Sequence, residues 1–200
     1  MGPDIWSPII DHLPGTSIQR ADLGFRGTPA KPEVQAPLVI AHSLGLMWAL
    51  NHLPRPWSGV IILAGFTRFS RTESFPGVEP RLLARMKSRL EVDPSGAVTE
   101  FLYRCGIQSP NTNALDVPRL SQGLDWLMDW DERNEFARLD CPTLSIVGSA
   151  DPIVTQEHSR ACFAGIPQIT VDGAGHLLPQ THAGWIANRL KAALKGDWSA

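Results

Sequence analysis

The run Leu38-Val39-Ile40-Ala41-His42-Ser43-Leu44-Gly45-Leu46-Met47 constrains the fold more than any other stretch of this chain. Leu38 to Ala41 has no polar face, as in a strand covered on both sides, and the apolar segment 44–52 that follows at once reads as a helix lying back on that strand. A strand buried on both faces needs helices above and below it, which is the arrangement of a largely parallel sheet.

The rest of the chain repeats this alternation. Short β-branched or apolar runs bounded by Gly, Pro or Asp predict strands at 17–23, 60–64, 143–147 and 169–171 in addition to Leu38–His42. Helical patterns cover 44–52, 80–91, 97–105, 120–129, 156–163 and 182–194. The class is α/β. Segment 68–139 breaks the rhythm: it is helical, carries scattered Arg, Pro and Trp, and contains no convincing strand. Pro94, Gly106, Pro110 and Pro118 cut it into about four short helices over the C-terminal edge of the sheet. The expected organisation is a core of 1–67 and 140–200 with a helical cap at 68–139.

Three strand ends carry residues suited to chemistry. Ala41-His42-Ser43-Leu44-Gly45 has the GxSxG form, with Ala41 as a tolerated small residue, and places Ser43 on a tight strand-to-helix turn. Small flanking residues are expected because larger ones would collide with neighbouring backbone. The helix N-terminus behind Ser43 directs N–H groups at the point where an oxyanion would form, so Leu44 N–H is a candidate donor. The run 143–147 leads into a loop bearing Asp151, and Ile169-Thr170-Val171-Asp172-Gly173-Ala174-Gly175-His176 does the same for His176. All three loops open on the sheet edge where ligands of open α/β sheets bind. Serine needs an imidazole to take its proton, and the imidazole needs a carboxylate to fix its tautomer. The candidate catalytic set is therefore Ser43, Asp151 and His176. Asp172 is a competing acid, placed rather to close the turn before His176. His42, His52, His158 and His182 read as packing or surface residues without metal-ligand partners, so neither a metal nor another cofactor is called for.

Composition narrows the partners. A net charge of −2 gives no electrostatic reason to expect nucleic acid or an anionic membrane surface, and small neutral or acyl substrates remain open. The apolar stretches fall short of the roughly 18 residues needed to span a bilayer. The start Met-Gly-Pro-Asp-Ile-Trp has neither a basic segment nor an apolar core of a secretory signal, so a cytoplasmic location is expected. Cys105, Cys141 and Cys162 are expected to be separate thiols.

With these motifs in place, the chain resembles the α/β-hydrolase superfamily and, within it, the biotin-pathway carboxylesterases that hydrolyse pimeloyl-[acyl-carrier protein] methyl ester. The general signals are Ala41-His42-Ser43-Leu44-Gly45, the Asp151 loop and Gly173-Ala174-Gly175-His176. More particular are Phe75-Pro76-Gly77-Val78, Phe101-Leu102-Tyr103-Arg104-Cys105-Gly106, and Gly123-Leu124 with Asp131 in the insertion. The resemblance implies that Phe101, Leu102, Tyr103, Arg104 and Cys105 line an acyl pocket, and that Ser43 and Leu44 hold the ester carbonyl. It also implies that cap residues Arg81, Arg85, Lys87 and Arg89 face an acidic carrier protein, although a solvated helix face would read the same way.

One departure stands against this frame. Superfamily members begin with strands leading to a His-Gly loop that supplies a second oxyanion N–H, whereas this chain begins in sequence resembling the part just after that loop. The first strands are expected to be missing, leaving Leu38–His42 with an unpaired edge. The short, proline-bearing connection 24–36 is expected to lack a helix. Losing one oxyanion donor costs about 10²–10³ in rate. The expectation is that Met1 is an internal methionine of a longer protein or that the short form is a weakened enzyme. The resulting readings are a serine carboxylesterase, an acyltransferase or perhydrolase with the same residues, and a hydrolase-like binding protein.

Overall fold

The computed structural model describes residues 2–199. After a 3-10 turn over Pro3–Trp6, the elements in chain order begin with α1 (Ser7–Ile10), β1 (Leu38–His42), α2 (Gly45–His52) and β2 (Gly59–Leu63). The connection from β2 onward is helical: α3 (Pro80–Val92), α4 (Pro94–Cys105), α5 (Val117–Asp129) and α6 (Arg133–Ala137). The chain then returns to the sheet with β3 (Thr143–Gly148), α7 (Gln156–Cys162) and β4 (Gln168–Val171), and closes with α8 (Leu178–Thr181) and α9 (Ala183–Ala193). The four strands form one parallel sheet in the order β1-β2-β3-β4.

The period of two along each strand divides the core between the two faces. Val60 and Ile62 of β2 point to the side of α2 and α7, where Leu46, Met47, Phe66 and Phe163 pack. Ile61 and Leu63 point to the opposite side, with Leu144 and Ile146 of β3, and meet Ile9 of α1 and Ile186 and Leu190 of α9. Every residue of β2 and β3 is buried, which explains why their sequences lack polar alternation.

The helices of the insertion start where their sequences direct. Pro lies in the first turn of α3, α4 and α5, where a missing N–H costs nothing. Asp93 accepts from Gly96 N–H at 2.9 Å, and Asp116 accepts from Arg119 N–H at 2.9 Å, each capping a helix. Gly106 ends α4 with φ of +103°, a conformation open to glycine. The insertion is tied to the sheet side by Glu132 N–H to the Thr67 carbonyl at 2.7 Å, and its start is held to α5 by Ser70 Oγ–H to the Met128 carbonyl at 2.8 Å. Arg68 pairs with Asp131 at 2.8 Å, and the Arg133 and Arg68 guanidinium groups hold the Asp131 carboxyl down at about 2.

The predicted strand at 17–23 is absent. That segment is extended and largely exposed, and its one ladder contact is an isolated antiparallel bridge between Asp22 and Ala30. The reason is the lack of a partner: β1 is the edge of the sheet, and among the described residues no strand pairs with its outer side. A cavity separates β1 from 17–23, bordered by residues of both. Residues 24–36 contain no helix, as expected from their prolines. Two short helices, α1 and α8, had no periodic signal because each is a single turn. Cys105, Cys141 and Cys162 are free thiols, and among the described residues no helix is long and apolar enough to cross a membrane.

Candidate active site

β1 runs into α2 through Ser43 and Leu44 alone, so the chain must reverse within two residues. Ser43 takes φ of +54°, a left-handed conformation that a non-glycine residue adopts only when its surroundings impose it. Its N–H is fixed to the Leu63 carbonyl at 3.0 Å, which leaves the side chain projecting above the C-terminal end of the sheet. Leu44 is the N-cap of α2 and its N–H heads that helix beside Ser43. The steric reason expected for glycine at position 45 does not hold: a Cβ there would meet no atom within 4 Å outside its own helix, because Gly45 borders the cavity.

Asp151 lies three residues beyond β3, and its Oδ1 accepts from the N–H groups of Ile153 and Val154 at 2.7 and 2.9 Å. These two bonds fix the carboxylate and leave Oδ2 to accept from His176 Nδ1–H at 2.9 Å. With the proton on Nδ1, the lone pair of Nε2 faces Ser43 Oγ at 3.1 Å. His176 is wholly buried and Asp151 is 6% exposed, so solvent does not compete for the bond between them. The structure thus brings the three sequence-predicted residues into one line from three separate loops.

Asp172 takes the other role foreseen for it. It is exposed, accepts from Ser149 Oγ–H at 3.1 Å, and Ser149 Oγ in turn accepts from Gly173 N–H at 2.7 Å, closing the turn ahead of His176.

The remaining histidines pack. His158 is buried against Phe66, Phe69 and Phe75, and its Nε2–H donates to the Arg68 carbonyl at 2.7 Å. His52 stacks on Trp48 at 4.8 Å. His182 is partnered by the Thr181 hydroxyl. His42 is 8% exposed and its ring centre stands 4.8 Å from that of His176. Burial first, and then its neighbour His176, push His42 down to about 3, so the ring is neutral at ordinary pH.

Ser43 opens on a cavity of about 1200 Å³. On the insertion side its wall includes Phe66, Leu83, Met86, Phe101, Leu102 and Leu124, and it continues along β1 to Ile9, Leu13 and Leu190. Of the five residues expected at an acyl pocket, Phe101, Leu102 and Arg104 line this cavity. Tyr103 is 54% exposed, and Cys105 is buried beside Ile5 and Leu177; neither borders it. Burial pushes the Cys105 thiol up to about 12, which makes it a poor nucleophile. Among the basic residues, Lys87 is paired with Asp125 and Arg89 with Glu100, whereas Arg85 is exposed at the cavity margin. Trp48, which also borders the cavity, carried no distinguishing signal in the sequence beyond that of core packing.

No family model matches the chain. It is 27% identical over 205 residues to the biotin biosynthesis bifunctional protein BioHC of Cellvibrio japonicus, covering 86% of this chain and 41% of that protein. It is 27% identical over 234 residues to a pimeloyl-[acyl-carrier protein] methyl ester esterase of Xylella fastidiosa, covering 98% and 90% of the two chains. Among solved structures, an esterase from Exiguobacterium antarcticum superposes with a TM-score of 0.80 at 15% identity, over 97% of this chain and 88% of that one. A bromoperoxidase from Bacillus anthracis gives 0.72 at 17% identity, over 98% and 88%.

Proposed function

We propose that this chain, which has the α/β-hydrolase fold and resembles esterases of that fold, is a serine carboxylesterase working through an acyl-enzyme. The observation that carries the reading is the hydrogen-bonded line from Asp151 through His176 to Ser43, ending at an apolar cavity. His176 Nε2 takes the Ser43 proton as Oγ attacks the ester carbonyl, and the imidazolium that forms stays paired with Asp151. Leu44 N–H stabilises the oxyanion. His176 gives that proton to the departing alcohol; water, deprotonated by the same imidazole, then attacks the acyl carbonyl, and the acid leaves as His176 passes the proton back to Ser43 Oγ.

In this reading residues 68–139 are a cap over the core of 1–67 and 140–200, and Phe101 and Leu102 bound the acyl chain. An acyl-carrier-protein-linked methyl ester is the substrate class suggested by the names of the relatives, with Arg85 and Arg104 among the cationic residues that border the cavity, beside Arg20 and the Glu100-paired Arg89. A second reading, a weakened hydrolase-like binding protein, is favoured by the open outer edge of β1, beside which a second oxyanion donor would be expected.

The deciding experiment is hydrolysis of p-nitrophenyl acetate and butyrate by the chain beside Ser43→Ala, with fluorophosphonate labelling in parallel. Turnover and labelling that both vanish in the variant support the serine mechanism. No turnover and no labelling in either protein would leave the binding role as the better account.

A further inference from the structure

His42 and Ser43 are consecutive in the chain, and both hold His176. Ser43 Oγ meets the ring at Nε2, 3.1 Å away, while the His42 ring reaches the backbone carbonyl of the same residue at 2.9 Å. A carbonyl can only accept, so His42 Nε2 carries the proton and donates. The bond is buried and crosses 134 positions of sequence, joining the end of β1 to the loop that follows β4. Trp6 stands edge-on to the His42 ring with centroids 6.5 Å apart. An apolar side chain would fill the same space, but it would leave the His176 carbonyl without this donor in a buried setting.

We infer that His42 is a positioning residue for His176: by holding the backbone of the general base to the strand that bears the nucleophile, it sets the distance between Nε2 and Ser43 Oγ. The inference rests on the serine-esterase reading above. On its far side, towards β3, the loop carrying His176 is attached through the Ala150 N–H bond to the Ala174 carbonyl at 3.0 Å, the Ser149 contacts with Asp172 and Gly173, and the His176–Asp151 bond. On the side of the nucleophile, the His42 bond holds the His176 backbone, where the Ser43 contact holds only its ring. Neutrality matters too, since a cation at this position would oppose the imidazolium that His176 becomes during the reaction.

The test compares His42→Gln, His42→Asn and His42→Leu. The Gln amide nitrogen occupies roughly the place of Nε2 and can make the bond; the Asn amide falls short of it, and Leu has no donor. A displacement of about 1 Å in a reacting group costs up to about 10²-fold. The expected result for p-nitrophenyl butyrate is therefore a loss of about 10- to 100-fold in kcat for Asn and Leu, KM within about twofold, and recovery of most of the rate in Gln. A second readout, independent of turnover, is the downfield proton NMR signal of His176 Nδ1–H. It should persist in wild type, Ser43→Ala and His42→Gln and broaden or disappear in Asn and Leu. Wild-type kcat and an intact signal in Asn would overturn the inference, as would equal loss in all three variants or a loss confined to KM. If Leu does not fold, the contrast between Gln and Asn decides. Failure of the enzyme reading appears separately, as activity retained by Ser43→Ala or turnover absent from wild type, and the NMR contrast still tests the clamp.

Discussion

Asp151 serves its neighbours with both oxygens, and the division predicts what its removal would do. Oδ1 accepts from Ile153 and Val154 N–H, and Oδ2 accepts from His176 Nδ1–H. Asp151→Asn can keep the two backbone bonds through its carbonyl oxygen, leaving its NH₂ facing His176. The imidazole must then present Nδ1 as an acceptor and carry its proton on Nε2, where it can no longer take the proton of Ser43. The expected outcome, on the proposed reading, is a fall in kcat of about 10⁴-fold, the size of effect seen when this tautomer is inverted in a serine protease, with a thermal midpoint close to wild type. Steady-state kinetics alongside thermal denaturation checks it; a midpoint many degrees lower would mean that the carboxylate acts mainly in folding. These residues were legible from sequence because each stands within five residues of a strand's C-terminal end, on the edge where loops converge. The residues expected to line an acyl pocket were less so. The run 101–105 turns through about 100° per residue in a helix, so it cannot present one face. Val98, Phe101 and Leu102 meet the cavity, while Tyr103 lies in solvent and Cys105 beneath Ile5.

Among the elements, the end of β3 and the loop after β4 come close together at Gly148. A Cβ added at Gly148 would fall 2.1 Å from the Ala174 carbonyl oxygen and 2.8 Å from that of Gly175, the residue before His176. Both are backbone atoms, so neither can rotate aside. Gly148→Ala must therefore push the base loop off the sheet, and overpacking of this kind costs about 1–3 kcal/mol. The expected result is a thermal midpoint lowered by several degrees and a kcat reduced more than tenfold, since Ser43 Oγ and His176 Nε2 are drawn apart. A variant with wild-type midpoint and rate would show the loop to be free to move without consequence. The role of Gly148 is not visible in the sequence, because a glycine ending a strand reads the same whether it serves a turn or a close contact. The segment 17–23 failed in the opposite sense. Its composition suits a strand, yet pairing depends on what lies alongside, and propensity carries no information about an absent neighbour.

At the scale of the whole molecule, the cavity joins two regions with different origins. One part lies beneath the insertion, between Phe101, Leu102 and Leu124; the other follows the outer edge of β1 towards Ile18 and Leu194, which are 38% and 56% exposed. The helical pattern of 68–139 made helices over the first foreseeable, and the second was foreseeable only through the expectation of an unpaired β1. An acyl chain attached to Ser43 could extend into either, and chain length resolves the choice. Each methylene buried from water contributes about 0.8 kcal/mol, or roughly fourfold in kcat/KM. For p-nitrophenyl esters, kcat/KM should therefore rise by up to about fourfold per methylene from acetate upward until the occupied branch is filled. Leu124→Trp, which blocks the branch beneath the insertion, should flatten this rise, and Ile18→Trp, which narrows the branch beside β1, should leave it unchanged. The reverse pattern would place the acyl chain along the open edge of the sheet, and the apolar wall formed by the insertion would then have to be explained by packing alone.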